Sequence, residues 1–269
     1  MRWGLALAVV AVAGTIAWAP VRNAIRGYHS TEGAKVVHFT LRSRLLHRKL
    51  GEILVTPAGG GRGRPLLVWL HGRSAPPSSS LSDSFFRALR ALGARAPNVL
   101  LANGGDHSYW HDRGDGKWGT SVLREAIPAA LARSHADARR VAIGGISMGG
   151  FGALDLGRQE PKRFCAVGGH SPAIFARGSH DIEFGFVDAA DFAKHDLLGI
   201  ARDHSPYRGP VWIDIGLQDE LRPGASRLAR ELKSDGTDVT FHMWPGAHTG
   251  EYWDAHFAQY LRFYADACG

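Results

Sequence analysis

The run Val141-Ala142-Ile143-Gly144-Gly145-Ile146-Ser147-Met148-Gly149-Gly150 constrains this chain more than any other stretch. A β-branched segment ends in Gly145-x-Ser147-x-Gly149 and passes directly into Phe151-Gly152-Ala153-Leu154-Asp155-Leu156, which reads as a helix. Strand, sharp turn and helix in that order form the context of a nucleophile elbow. Small residues must flank the serine, because a Cβ there would strike the neighbouring strand or helix, and glycine tolerates the turn's backbone angles. The hydroxyl of Ser147 is expected to stand clear of the sheet edge, at a helix N-terminus that favours negative charge.

The rest of the chain supplies the sheet this turn needs. Strands are expected at Val36–Leu41, Leu50–Thr56, Leu66–Leu70, Val99–Ala102, Phe164–Gly168, Val211–Gly216 and Val239–Trp244. Helical patterns lie near 83–92, 121–133, 222–233 and 252–265, with Pro128 kinking or restarting the second. Leu66-Leu67-Val68-Trp69-Leu70 is continuously apolar, as for a strand buried on both faces. Alternation of strand and helix predicts an α/β fold with a mainly parallel central sheet and helices on both faces. Residues 173–210 form a longer, less regular connection, read as a small cap-like insertion that sets substrate choice. Residues 104–119 form a long polar and aromatic loop, of the kind that carries function.

The chain reads as three regions. Trp3 to Ala19 is an unbroken apolar or small-residue stretch after Arg2, so residues 1–20 are expected to be a signal-anchor or signal peptide. Residues 21–34 read as a linker and 35–269 as the catalytic domain. Export follows, to the cell envelope or beyond, with membrane anchoring through residues 3–19. Lys and Arg number 32 against 25 Asp and Glu, but the basic residues are scattered, which argues against a nucleic-acid partner. Cys165 lies in an apolar run and is expected to be a buried thiol, and Cys268 is penultimate; no metal or redox spacing relates them.

A serine hydroxyl needs a base, and the base an orienting carboxylate. The expected chain order is serine, acid, histidine. Asp219 follows the strand Val211–Gly216 and is the candidate acid, with Glu220 as the alternative; Asp214, inside the strand, is expected to be structural. Among 14 histidines, His248 is the one both downstream of Asp219 and in a post-strand loop; His242 falls within a strand and His256 within a helix. The backbone N–H groups of Met148 and Arg73 are the expected oxyanion donors. Tyr109, Trp110 and His71 are candidate substrate-binding residues, His71 with a role in holding its own loop. His107, His111 and Asp112 allow a metal reading, but the His107-x-x-x-His111 pair in a loop has no third ligand at a known spacing, so lining the substrate pocket is preferred and no metal is assigned.

Leu70-His71-Gly72, Gly105-Asp106-His107-Ser108-Tyr109-Trp110, the Ser147 elbow, Asp219 and His248 together resemble the esterase D branch of the α/β-hydrolases. That branch includes S-formylglutathione hydrolases, feruloyl-type esterases and secreted mycolyltransferases, and the similarity covers Val36 to Ala265. The resemblance implies a Ser147–Asp219–His248 triad, ester or thioester substrates of small-molecule or lipid type, and no cofactor. Mycolyltransferases carry Asp-Gly-Leu-Arg where this chain has His71-Gly72-Arg73-Ser74, so their trehalose-contacting aspartate and arginine have no counterpart here. The expected activity is carboxylic ester hydrolysis. Acyl transfer to an alcohol or sugar acceptor and a non-catalytic envelope binding protein are the alternatives.

Overall fold

The computed structural model describes residues 27–176, 178, 182–203 and 206–269. The apolar stretch Trp3 to Ala19 lies outside them, and no helix of the described residues is long and apolar enough to cross a membrane.

Eight strands form one sheet: β1 (Lys35–Ser43), β2 (Arg48–Thr56), β3 (Leu66–Leu70), β4 (Asn98–Ala102), β7 (Val141–Ile146), β8 (Phe164–His170), β9 (Val211–Gly216) and β10 (Val239–Trp244), in the order β1-β2-β4-β3-β7-β8-β9-β10. From β4 to β10 all neighbours are parallel, and β1 and β2 add an antiparallel edge. The mainly parallel α/β sheet expected from the sequence is the one found. The β1–β2 pairing runs on to Ser43 and Arg48, so the two strands are joined by a tight turn over residues 44–47 with His47 in the left-handed region (φ 50°).

Burial of β3 on both faces decides how the layers form. Leu66, Val68 and Leu70 enter one apolar cluster with Val122, Ile127, Phe151 and Leu154. Leu67 and Trp69 enter the other, with Phe85, Phe86, Phe257, Tyr260 and Tyr264. Alternate side chains of a strand point to opposite faces, so each face must be covered by helices. Helices α1 (Asp83–Ala91) and α7 (Gly250–Ala267) cover one face. Helices α2 (Ile127–Ser134), α3 (Met148–Gln159) and α6 (Arg222–Ser234) cover the other. Pro128 sits in the first turn of α2, directly after a π-helical turn over Val122–Ala126 through which the helix runs on without a break.

Four local readings change. Cys165 and Cys268 form a disulfide across 103 residues, fastening the end of α7 to β8; sequence spacing hid the pair because only the fold brings the two Cα atoms to 5.4 Å. Residues 27–34 are docked rather than a free linker: Tyr28 packs edge-on against Phe86, and Nδ1 of His29 lies 2.8 Å from Oδ2 of Asp83. The 104–119 loop contains a two-stranded ribbon, β5 (Asp112–Arg113) and β6 (Gly116–Lys117), and Nε of Arg113 stands 3.8 Å from Oδ1 of Asp115. The insertion holds short helices, α4 (Ala189–Lys194) and α5 (Leu197–Asp203), and packs Phe175, Phe186 and Phe192 into the core on the α3 face.

Candidate active site

The turn after β7 explains both glycines of the motif. A Cβ on Gly149 would stand 2.0 Å from the Leu70 carbonyl oxygen, and one on Gly145 would stand 2.5 Å from that of Gly149. Both obstacles are backbone, so neither can move aside. Ser147 caps α3 with φ 58° and ψ −117°, a conformation costly for a residue bearing a Cβ. The turn is held on both sides, by Ser147 N–H donating to the His170 carbonyl and Ala173 N–H donating to that of Ser147.

Three side chains distant in sequence meet at this turn. Ser147 Oγ is 2.9 Å from Nε2 of His248, and His248 Nδ1 is 2.8 Å from Oδ2 of Asp219. The other oxygen of Asp219 accepts from the Leu221 N–H at 2.9 Å, which fixes the carboxylate plane. Asp219 is buried while the imidazole is 27 % exposed, so a reactant can reach the ring and solvent is kept from the acid. The acid loop and the histidine loop are sewn together: Gly246 N–H donates to Gln218 Oε1 at 2.7 Å, and Gln218 N–H donates to the Gly246 carbonyl at 2.9 Å. The indole of Trp253 meets His248 edge to face and donates to Ser171 Oγ at 3.1 Å.

A buried polar frame lies under the turn. Asp214 Oδ1 accepts from His170 Nδ1 (2.7 Å) and Trp212 Nε1 (2.8 Å), and Oδ2 accepts from the hydroxyls of Tyr252 (2.9 Å) and Tyr260 (2.8 Å). Tyr264 donates to His170 Nε2 at 2.9 Å, and Gly144 and Gly168 leave the slot its hydroxyl occupies. Burial and the Asp214 charge hold the Tyr260 hydroxyl well above its ordinary pKa, so it stays a donor. Asp214 is therefore structural, at the centre of the frame that seats α7 just beyond His248. The structural role expected of Asp214 is the one found, but its partners His170, Trp212, Tyr252 and Tyr260 come from three elements that the fold alone brings together.

A cleft of about 570 Å³ opens beside Ser147 and His248, lined by Gly72, Arg73, Leu81, Trp253, Asp254 and Phe257 among others. Gly72 abuts the nucleophile turn, since its Cβ would lie 3.5 Å from that of Ser147. Met148 is the first residue of α3, where backbone N–H groups lack helical partners. The Pro- and Ser-rich loop contributes Ala75, Ser79, Ser80, Leu81 and Ser82 to the cleft wall, and Gly27 adds its other rim. No described residue of 173–210 lines this cleft, contrary to the role expected of the insertion.

The substrate-binding candidates sit below the cleft instead of on its wall. His71 is 2 % exposed; its Nδ1–H donates to the Gly72 carbonyl and its Nε2 accepts from the Gly104 N–H, and burial lowers its pKa. Trp110 is fully buried and donates from Nε1 to the His71 carbonyl, while Tyr109 is buried against Phe151, Phe175 and Phe186. Aromatic side chains in a long loop suggested a pocket lining; they are packing that supports the turn at Gly72.

An α/β-hydrolase sheet with a serine, a histidine and a buried carboxylate in hydrogen-bond series defines a serine hydrolase architecture. The sequence matches the family described as "Putative esterase" over residues 43–264, so the chain belongs to this esterase family, whose enzyme class is that of the carboxylesterases. It is 30% identical over 183 residues to "Esterase Rv1288" of Mycobacterium tuberculosis (strain ATCC 25618 / H37Rv), covering 65% of this chain and 37% of that protein. The chain thus spans well under half the length of this relative. Its fold is shared with a ferulic acid esterase (TM-score 0.75, 22% identity, 87% of this chain and 98% of that one). It is also shared with an S-formylglutathione hydrolase from Agrobacterium tumefaciens (TM-score 0.74, 21% identity, 89% and 98%). Both kinds of neighbour belong to the branch that the sequence motifs resemble.

Proposed function

We propose that this chain hydrolyses carboxylic esters through a Ser147–His248–Asp219 triad and an acyl-enzyme. The hydrogen-bond series from Ser147 Oγ through His248 to Asp219, at 2.9 and 2.8 Å, is the observation that carries the reading. His248 Nε2 takes the Ser147 proton as Oγ attacks the ester carbonyl, and Asp219 stabilises the imidazolium. The tetrahedral oxyanion is met by the N–H groups of Met148 and Arg73, each donor worth about 100- to 1000-fold in rate. His248 then protonates the leaving alkoxide, and water resolves the acyl-enzyme by the same steps in reverse. A small-molecule or lipid ester is the substrate class, bound in the cleft between the Ser79–Ser82 loop and α7.

We propose export as well, with residues 3–19 as signal or anchor. The disulfide between Cys165 and Cys268 supports this, because such bonds persist mainly in oxidising compartments.

A fluorophosphonate probe tests the mechanism directly. Wild type should be labelled and should hydrolyse p-nitrophenyl esters, and Ser147→Ala should do neither while folding normally. A folded wild type that stays unlabelled, or labelling that survives in Ser147→Ala, overturns the assignment.

A further inference from the structure

Away from the triad, three metal-binding groups converge where the insertion meets the loop after β4. His111 comes from that loop, and Asp191 and His195 come from α4 and its C-terminal cap; one ligand atom of each lies within 4.8 Å of the other two. The His111 side chain is fully buried and that of Asp191 is 14 % exposed. The two imidazole rings stand 4.4 Å apart, centre to centre.

The hydrogen bonds around the two rings favour one tautomer of each. His111 Nε2 is 2.9 Å from the Gly185 carbonyl oxygen, an acceptor, so Nε2 carries the proton and donates. Its Nδ1 makes the longer contact, 3.3 Å to the Asp112 carbonyl oxygen, and lies 4.0 Å from Asp191 Oδ1, so with the proton on Nε2 its lone pair is left for a ligand on that side. His195 Nδ1 is 2.8 Å from Oδ2 of the fully buried Asp155, so it donates there and leaves Nε2 as a lone pair. In these tautomers each histidine has one lone pair left to offer beside the Asp191 carboxylate. Each imidazole is oriented from behind by a carbonyl or carboxylate, as histidines are when they ligate a metal.

We propose that His111 Nδ1, His195 Nε2 and Asp191 Oδ1 bind a zinc ion, which fastens the insertion to the loop after β4. Two imidazoles and one carboxylate suit Zn²⁺ better than the hard, oxygen-seeking Ca²⁺ or Mg²⁺. Zinc bonds of about 2.0–2.2 Å would draw the three groups inward by roughly an ångström and leave a fourth position for water. The sequence had singled out His111 with His107 and Asp112, but those two are engaged elsewhere. His107 Nδ1 pairs with Asp106, and the Asp112 carboxylate receives the Thr120 N–H and hydroxyl. The missing ligands lie in the insertion, far along the chain.

The test uses the full chain, stripped with chelator, reloaded with Zn²⁺ and desalted, with metal measured by mass spectrometry and Co²⁺ as a spectroscopic substitute. Wild type and His107→Gln should each retain about one zinc per chain and show the visible bands of four-coordinate Co²⁺. His195→Gln and Asp191→Asn should lose at least about tenfold in affinity, with unchanged circular dichroism. Chelation should lower the melting temperature of wild type and leave that of Asp191→Asn unmoved. Wild type that retains no zinc, or His195→Gln and Asp191→Asn that retain as much as wild type, overturn the proposal. Esterase turnover is not a readout, so this result stands or falls apart from the triad.

Discussion

Asp214 Oδ1 and His170 Nδ1 meet at 2.7 Å beneath the nucleophile turn, both side chains fully buried. The backbone of the same two residues holds that turn: the His170 carbonyl accepts from Ser147 N–H, and the Asp214 carbonyl accepts from Ser171 N–H. One polar frame thus sets the height of the nucleophile and, through Tyr252 and Tyr260, the seat of the helix that follows His248. In Asp214→Asn the incoming amide donor faces donors already in place. Breaking a buried network of this kind costs about 3–5 kcal/mol, so calorimetry should show a large fall in melting temperature.

Asp219→Asn separates orientation from packing. The shape of the side chain is kept, but the amide cannot hold His248 in the tautomer that accepts the serine proton. Turnover should fall by about 10⁴ with little change in melting temperature, measured on a soluble p-nitrophenyl ester.

Glu52 gives the fold a pH dependence of its own. Its carboxyl is buried, receives one N–H from Asn103, and is pushed by desolvation from 4.5 up to about 8. Between those values the folded protein holds a proton that the unfolded chain has released. Stability therefore declines as pH rises from 4.5 towards about 8 and stays low above it. A tenfold change in proton affinity is worth about 1.4 kcal/mol, so the loss amounts to a few kcal/mol. Glu52→Gln, which imitates the neutral form, should flatten the fall in melting temperature between about pH 5 and pH 9.

The Cys165–Cys268 bond closes a loop of 103 residues. Chain entropy alone assigns such a loop a stabilisation of about 4–5 kcal/mol, and native disulfides typically give about 2–5. Reduction, or Cys268→Ser, should lower the melting temperature by roughly 5–15 °C, at about 2–4 °C per kcal/mol for a chain of this size. Equal melting curves with and without dithiothreitol would show that the bond adds nothing.

The sheet was legible because its strands are short apolar runs separated by turn residues, and the elbow because two glycines at fixed spacing answer to two specific backbone contacts. Asp219 and His248 could be found because each follows a strand, where a parallel sheet gathers its working groups. What stayed hidden depends on distance along the chain. The partners of Asp214 come from β8, β9 and α7, and Gln218 takes its meaning from Gly246 on another loop. Tyr109 and Trp110 misled because aromatic residues beside a catalytic turn look alike whether they face the cleft or the core. Burial, which a sequence does not print, separates the two.

Gly27 forms part of the cleft rim, and His29 and Tyr28 pin it to α1. Whatever precedes Gly27 is therefore covalently joined to the doorway to Ser147. An extended chain reaches at most about 3.6 Å per residue, so the stretch ending at Ala19 can lie no more than roughly 30 Å from that doorway. Were that stretch seated in a bilayer, the doorway would be leashed to the lipid surface, and esters diffusing in that surface would be the first the enzyme met.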